Sequence, residues 1–212
     1  MLALSFTACN NDPEPEATQA TEKPTWAPHD APAADAIDFT KLESLEGVEE
    51  SATETDYVKI TVKGYGDIIV RLYPDVAPLT VENFKKLVRK GFYTDSSFHR
   101  IVEDFVIQGG ASSKGKEAKA IKGEFAENGI DNPIKHERGV ISMARTNVYD
   151  SASSQFFIVL KTSENNSYWL DDKYAAFGRV IEGMDVVDAI AAVKTYNDSP
   201  LQDVRIVDAY FR

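Results

Sequence analysis

The 212-residue sequence has one cysteine, Cys9, and three histidines, His29, His99 and His136. A single thiol excludes an intrachain disulfide and any thiolate metal cluster, and the histidines are too scattered to read as a ligand set. Phosphate-cradling glycine loops are missing, as are HExxH and GxSxG, so the sequence implies neither a metal nor a cofactor. Basic charge is in short supply as well. The chain has 23 Lys+Arg against 34 Asp+Glu, for a net charge of −11. Without a clustered Lys/Arg face it has no footprint for a nucleic-acid partner.

The acidity is unevenly placed. Residues 1–56 hold thirteen acids and two bases, so residues 57–212 carry equal numbers of each and are neutral. The same segment takes five of the nine prolines, one glycine (Gly47) and only three aromatic residues, Phe6, Trp26 and Phe39. Low hydrophobicity with high net charge cannot repay ordering entropy. Residues 10–55 are therefore expected to be an acidic disordered linker, and 56–212 a single domain large enough for a substantial core. Residues 1–9 end in the apolar run Met1–Ala8 directly before Cys9. This resembles the end of a bacterial lipoprotein signal peptide, in which the cysteine becomes the lipidated N-terminus. It departs from that pattern in lacking a positively charged start and in having Phe6 three positions before the cysteine. The run is far shorter than the roughly 20 apolar residues of a membrane span. The lipoprotein reading implies an extracytoplasmic domain anchored to the cell membrane by lipid. An incidental cysteine would leave the protein cytoplasmic.

In the neutral body, Tyr57–Lys63 alternates apolar and polar residues, Gly64–Asp67 forms a turn, and Ile68–Tyr73 completes a hairpin. Thr80–Lys90 places Val81, Phe84, Leu87 and Val88 on one helical face. A second helix, Met184–Val193, does the same with Val186, Val187, Ile190 and Val193. Further strands are predicted at 98–102, 105–108, 140–144, 156–160, 175–181 and 204–211. Eight short strands with two helices, and no regular strand–helix alternation, predict an all-β fold. Its expected form is a closed eight-stranded antiparallel barrel capped by the two helices. Residues 111–137 lack periodicity and read as a functional excursion loop.

Ser153 and Ser154 have neither a histidine nor a glycine elbow beside them, which leaves little for a hydrolase. His99, between Phe98 and Ile101, reads as a packed structural histidine. The unusual feature is a set of apolar strands each carrying a misplaced polar group: Phe98-His99-Arg100-Ile101, Phe105-Val106-Ile107-Gln108-Gly109-Gly110, Ser142-Met143-Ala144-Arg145 and Ser154-Gln155-Phe156-Phe157-Ile158. They are followed by Trp169-Leu170-Asp171 and Tyr174-Ala175-Ala176-Phe177-Gly178. Buried polar groups without partners are costly, so each of these needs a reason.

In this order the segments resemble the cyclophilin family of peptidyl-prolyl cis–trans isomerases, over roughly residues 57–211. The resemblance implies rotation about Xaa–Pro bonds, with Arg100, Gln108 and Phe105 as catalytic residues. It further implies a substrate groove formed by Phe98, Val106, Ala144, Arg145, Gln155, Phe157, Trp169, Leu170 and Tyr174. Partners would be proline-containing unfolded or exported polypeptides, with cyclosporin as a family-level ligand tied to Trp169, and the protein would be a monomer. Val106, Arg145 and Tyr174 depart from the best-known pattern, which has methionine, asparagine and histidine there. Those changes bear on substrate preference, and they keep open a peptide-binding module or chaperone with little turnover. A surface-tethered scaffold with a vestigial groove is a third alternative.

Overall fold

The computed structural model describes residues 56–111, 118–164 and 169–212. Cys9, the signal remnant at 1–9 and the linker at 10–55 lie outside the described residues.

The body opens with strands β1 (Tyr57–Val62) and β2 (Gly66–Leu72), paired antiparallel from Tyr57↔Arg71 to Val62↔Gly66. Alternation does its work here: Val58, Ile60 and Val62 are buried while Tyr57, Lys59 and Thr61 are only half-buried. Six more strands complete the main sheet. They are β3 (Arg100–Val102), β4 (Val106–Gly109), β5 (Val140–Met143), β6 (Phe156–Val159), β7 (Ala176–Glu182) and β10 (Ile206–Phe211). Their order is β10-β1-β2-β7-β5-β6-β4-β3, with each neighbouring pair antiparallel. Gly178 lets β7 lie between β2 and β5, because a Cβ there would stand 2.4 Å from the Arg71 carbonyl oxygen.

All eight expected strands form, but the barrel is open rather than closed. Edge strands β10 and β3 share no ladder. The seam is crossed by one bridge, Ser97↔Arg205, and by hydrogen bonds from Phe98 N–H to the Val204 carbonyl and from Ile206 N–H to the Ser96 carbonyl. The physical reason lies in β3, which has three residues and is engaged on its outer edge. Its Ile101 N–H donates to the Asp198 carbonyl at 2.7 Å. Asp198 belongs to a small hairpin that the sequence pattern did not reveal, β8 (Thr195–Tyr196) paired with β9 (Ser199–Pro200). Both turn residues, Asn197 and Asp198, have positive φ, 48° and 64°, the left-handed pair of a tight hairpin turn. The result is a curled half-barrel.

The two expected helices form as α1 (Pro78–Arg89) and α2 (Met184–Ala191). Helix α1 buries Val81, Phe84, Leu87 and Val88, the predicted face, and packs on β10, whereas α2 packs on β2 and β4. Phe84, Tyr93, Phe98, Phe156 and Phe177 form the aromatic centre of the core, with edge-on contacts such as Phe84–Phe156 at 5.8 Å. Tyr93 is fully enclosed. Its hydroxyl donates to the Ser154 carbonyl at 3.0 Å, and burial pushes the phenol well above its ordinary value.

A second apolar cluster covers the opposite face of the sheet: Val106, Ile134, Val140, Phe157, Val159, Leu170 and Ala176. Strands β5 and β6 are thus buried on both faces, which is why they read as continuous apolar runs. The described part of the excursion, residues 118–137, supplies some of this cover through Ile134. It also caps α1. Ala77 gives that helix no side-chain cap. Instead the carboxylate of Glu124, 2% exposed, accepts the Leu79 and Thr80 N–H groups at 3.0 and 2.7 Å. Two orphan helix amides and the helix dipole are satisfied by one distant side chain. Removing it in Glu124→Ala should cost about 2 kcal/mol of stability. Urea denaturation measures this, and an unchanged midpoint would show that the cap is energetically idle.

Candidate active site

Two of the misplaced polar residues, Arg100 and Gln108, fall into one row with Phe157 and Ser142. Arg100 stands opposite Gln108, Gln108 opposite Phe157, and Phe157 opposite Ser142, across β3, β4, β6 and β5. Directly opposed residues share a face of a sheet. The row therefore lies on the outer face, away from the aromatic core, where Arg100 and Gln108 are only half-buried.

Above the row is a cavity of about 640 Å³ lined by Arg100, Asp104, Phe105, Val106, Gln108, Ala144, Arg145, Phe157, Ser163, Trp169, Leu170 and Tyr174. Ten of the twelve residues assigned to the site by resemblance are on this wall. Phe157 meets Tyr174 edge-on at 5.7 Å, and Trp169 stands at the rim, 61% exposed. Gln155 lies behind the wall. Its side-chain oxygen accepts from Gln108 Nε2 at 2.9 Å, which orients the Gln108 amide, and its carbonyl accepts the Ala144 N–H at 2.9 Å. Phe98 is a correction. It is 0% exposed and meets Phe156 edge-on at 6.0 Å in the core, because it lies two residues before Arg100 but on a segment that has turned inward.

Arg100 is held from outside the cavity. Its guanidinium donates to the Asp198 carboxylate at 3.2 Å, the residue whose carbonyl also holds Ile101 N–H. One turn residue thus grips both the backbone and the side chain of β3.

A family profile described as cyclophilin type peptidyl-prolyl cis-trans isomerase/CLD matches residues 57–211. The chain belongs to the cyclophilin family. Peptidyl-prolyl cis-trans isomerase B of Escherichia coli (strain K12) is 39% identical over 151 residues, 67% of this chain and 92% of the relative. Peptidyl-prolyl cis-trans isomerase cypE of Dictyostelium discoideum is 40% identical over 146 residues, 68% and 90% of the two chains. Among solved structures, a Cryptosporidium parvum cyclophilin type isomerase, crystallised in the presence of the dipeptide Ala-Pro, superposes with a TM-score of 0.64 at 25% identity. It covers 74% of this chain and 98% of its own.

One constellation in this cyclophilin was not legible in the sequence. His136 Nδ1 lies 2.9 Å from the Asp171 carboxylate, and its Nε2 lies 3.0 Å from the Ser142 hydroxyl. These are the residue types of a hydrolytic triad, yet Ser142 is 0% exposed and Asp171 5%, so no substrate reaches the hydroxyl. The relay is structural support. The His136 ring stacks on Phe157 at 5.9 Å and 21°, and Asp171 also accepts the His136 backbone N–H at 2.8 Å. It thereby ties the Trp169–Leu170–Asp171 wall to the row beneath the cavity. Sequence spacing offers no signal for it, since the three residues come from separate elements.

Burial pushes the Asp171 carboxyl up, but hydrogen bonds from the His136 side chain and backbone outweigh this and hold it below the ordinary carboxylate value. A carboxyl depressed on folding adds stability that is complete above its unfolded value, about pH 4, and is lost as pH falls through the folded value. Asp171→Asn should be less stable than wild type at pH 7 yet lose less stability between pH 7 and pH 3. Urea unfolding across that range checks this, and an equal acid loss in both proteins would refute it.

Proposed function

We propose that this cyclophilin isomerises Xaa–Pro peptide bonds in exported polypeptides, with Arg100 as the group that stabilises the twisted amide. The observation that carries the reading is the row Arg100–Gln108–Phe157 lining a cavity with an apolar wall. Amide resonance gives the bond a rotation barrier of about 18–20 kcal/mol. Twisting breaks the resonance and leaves a lone pair on a pyramidal prolyl nitrogen. A guanidinium aimed there favours the twisted form over the planar one, which is the condition for catalysis. Arg100 suits this because it stays charged and presents planar donors. Phe105, Phe157 and Leu170 would hold the proline ring and keep water away, while Gln108 and the Ala144–Arg145 backbone orient the peptide. No covalent intermediate is required.

Magnitude limits the role of the arginine. A hydrogen bond to a charged group is worth about 1.5–3 kcal/mol, and each tenfold in rate takes about 1.4 kcal/mol. Arg100 supplies one to two decades, and positioning in the groove must supply the remainder. A peptide-binding module remains the second reading, favoured by Arg145 and Tyr174 at the rim. The two readings separate on turnover, since a pure binder would not speed exchange.

Export rests on the N-terminal segment. We propose that Cys9 carries a lipid anchor and that the acidic linker is a spacer. Its negative charge would keep it off an anionic surface. The isomerase would then work as a tethered monomer.

Arg100→Ala should lower kcat/KM in a proline-limited refolding assay about 10- to 100-fold. Cyclosporin should inhibit the wild type in the same assay through a site that includes Trp169. Absence of acceleration by wild type would dismiss the enzyme reading. Mass spectrometry of the mature N-terminus should find a diacylglyceryl-modified Cys9, and an unmodified N-terminus upstream of it would remove the anchor.

A further inference from the structure

Every charged side chain on the cavity wall but one is neutralised. Arg100 pairs with Asp198 at 3.2 Å, and Asp104 pairs with Lys161 at 2.8 Å. Arg145 has no carboxylate partner among the described residues. It is instead held in an aromatic cage. The guanidinium carbon lies 4.6 Å from the Tyr174 ring centroid, 5.0 Å from that of Tyr149 and 5.1 Å from that of Phe125. Its Nε donates to the Lys173 carbonyl and one terminal nitrogen donates to the Thr146 carbonyl, both at 2.9 Å.

Each contact fixes the group without cancelling its charge. Ring faces and carbonyl oxygens stabilise a cation by their quadrupoles and dipoles, and they leave its net charge in place. The cage is itself braced. Tyr149 meets Phe125 edge-on at 5.3 Å, and its hydroxyl donates to the Glu127 carboxylate at 2.7 Å, which enriches the ring that faces the cation. Five N–H donors belong to a guanidinium, and two are used. Held this way, a half-buried arginine does not need to be ordered when a peptide arrives.

The two rim departures noted in the sequence, Arg145 and Tyr174, are therefore one feature, since they are mutual partners across the wall. A histidine able to take up a proton would be a poor neighbour for a caged guanidinium, whereas a tyrosine offers it a neutral, electron-rich face.

We propose that Arg145 sets the substrate preference of the groove, favouring peptides with an acidic side chain next to the proline over those with a basic one. The proposal rests on the groove being the peptide site. Attraction of a carboxylate and repulsion of an ammonium act together on one fixed, unpaired charge, and both are screened by salt.

The test uses the full-length chain with matched peptides carrying Glu, Ala or Lys immediately before proline, and a second set with the same residues immediately after it. For wild type, kcat/KM for one of the two Glu peptides should exceed that for its Lys counterpart about fivefold at low salt, with the ratio shrinking as salt is raised. Arg145→Gln should reduce the ratio at least threefold, and Arg145→Lys, which restores charge, should recover part of it. Affinities of the same peptides are titrated in parallel. Equal ratios in wild type and Arg145→Gln, by turnover and by binding in both sets, would overturn the proposal, and turnover of the Ala peptides by wild type reads out the isomerase reading separately. Charge-dependent binding with no turnover of any peptide would instead support the preference and defeat the isomerase reading.

Discussion

The structure depends on strands that bury both faces. Along β4, β5 and β6 successive side chains point alternately into the aromatic core and into the outer cluster around Phe157 and Leu170. A one-residue slip in any of these pairings would exchange the two sets, sending Phe157 into the core and Phe156 to the cavity. Two-sided burial makes such a slip prohibitive. The row that holds Arg100, Gln108 and Phe157 is thus aligned by core packing on the other side of the same strands. Site geometry is a by-product of a register that hydrophobic burial enforces.

Covering the outer face has a cost in polar groups. The excursion that lies over it brings Glu124, Asn132 and His136 into buried positions, and each is answered. Glu124 serves helix α1. Asn132 Nδ2 donates to the carbonyls of Glu124 and Ala176, both at 2.9 Å. His136 bridges Asp171 and Ser142. A loop with little regular secondary structure can be ordered only when its polar groups find partners this way. The partners come from α1, β5, β7 and the 169–175 segment, so the excursion ties α1 and the 169–175 segment to strands of the sheet without a ladder.

These points explain what could be read from the amino-acid sequence. Alternation in Tyr57–Val62 and the helical face of α1 are local, and both were legible. The ordered family segments also named ten of the residues that line the cavity, but neither Asp104 nor Ser163. Closure was misjudged because it is decided at a seam between residues about a hundred positions apart, where the Asp198 carbonyl occupies an edge that β10 would need. The β8–β9 hairpin escaped notice for a different reason: two-residue strands have no measurable period, and Asn-Asp in a polar stretch looks like any loop. Phe98 was misassigned since it lies two residues before Arg100 and only the three-dimensional path separates core from groove. The excursion read as a polar, aperiodic loop because its organising contacts are single long-range hydrogen bonds, which leave no periodic trace.

The Asn197–Asp198 turn also constrains how this protein can diversify. Surface loops usually accept insertions, and enzyme families acquire new substrate reach largely by lengthening them. This turn cannot follow that route. Its carbonyl and its carboxylate grip adjacent residues of one short strand, and both grips depend on a two-residue reversal with left-handed backbone at each position. A single inserted residue would release the strand edge and the arginine together. Evolutionary change in this groove is therefore channelled toward side-chain exchange on its walls.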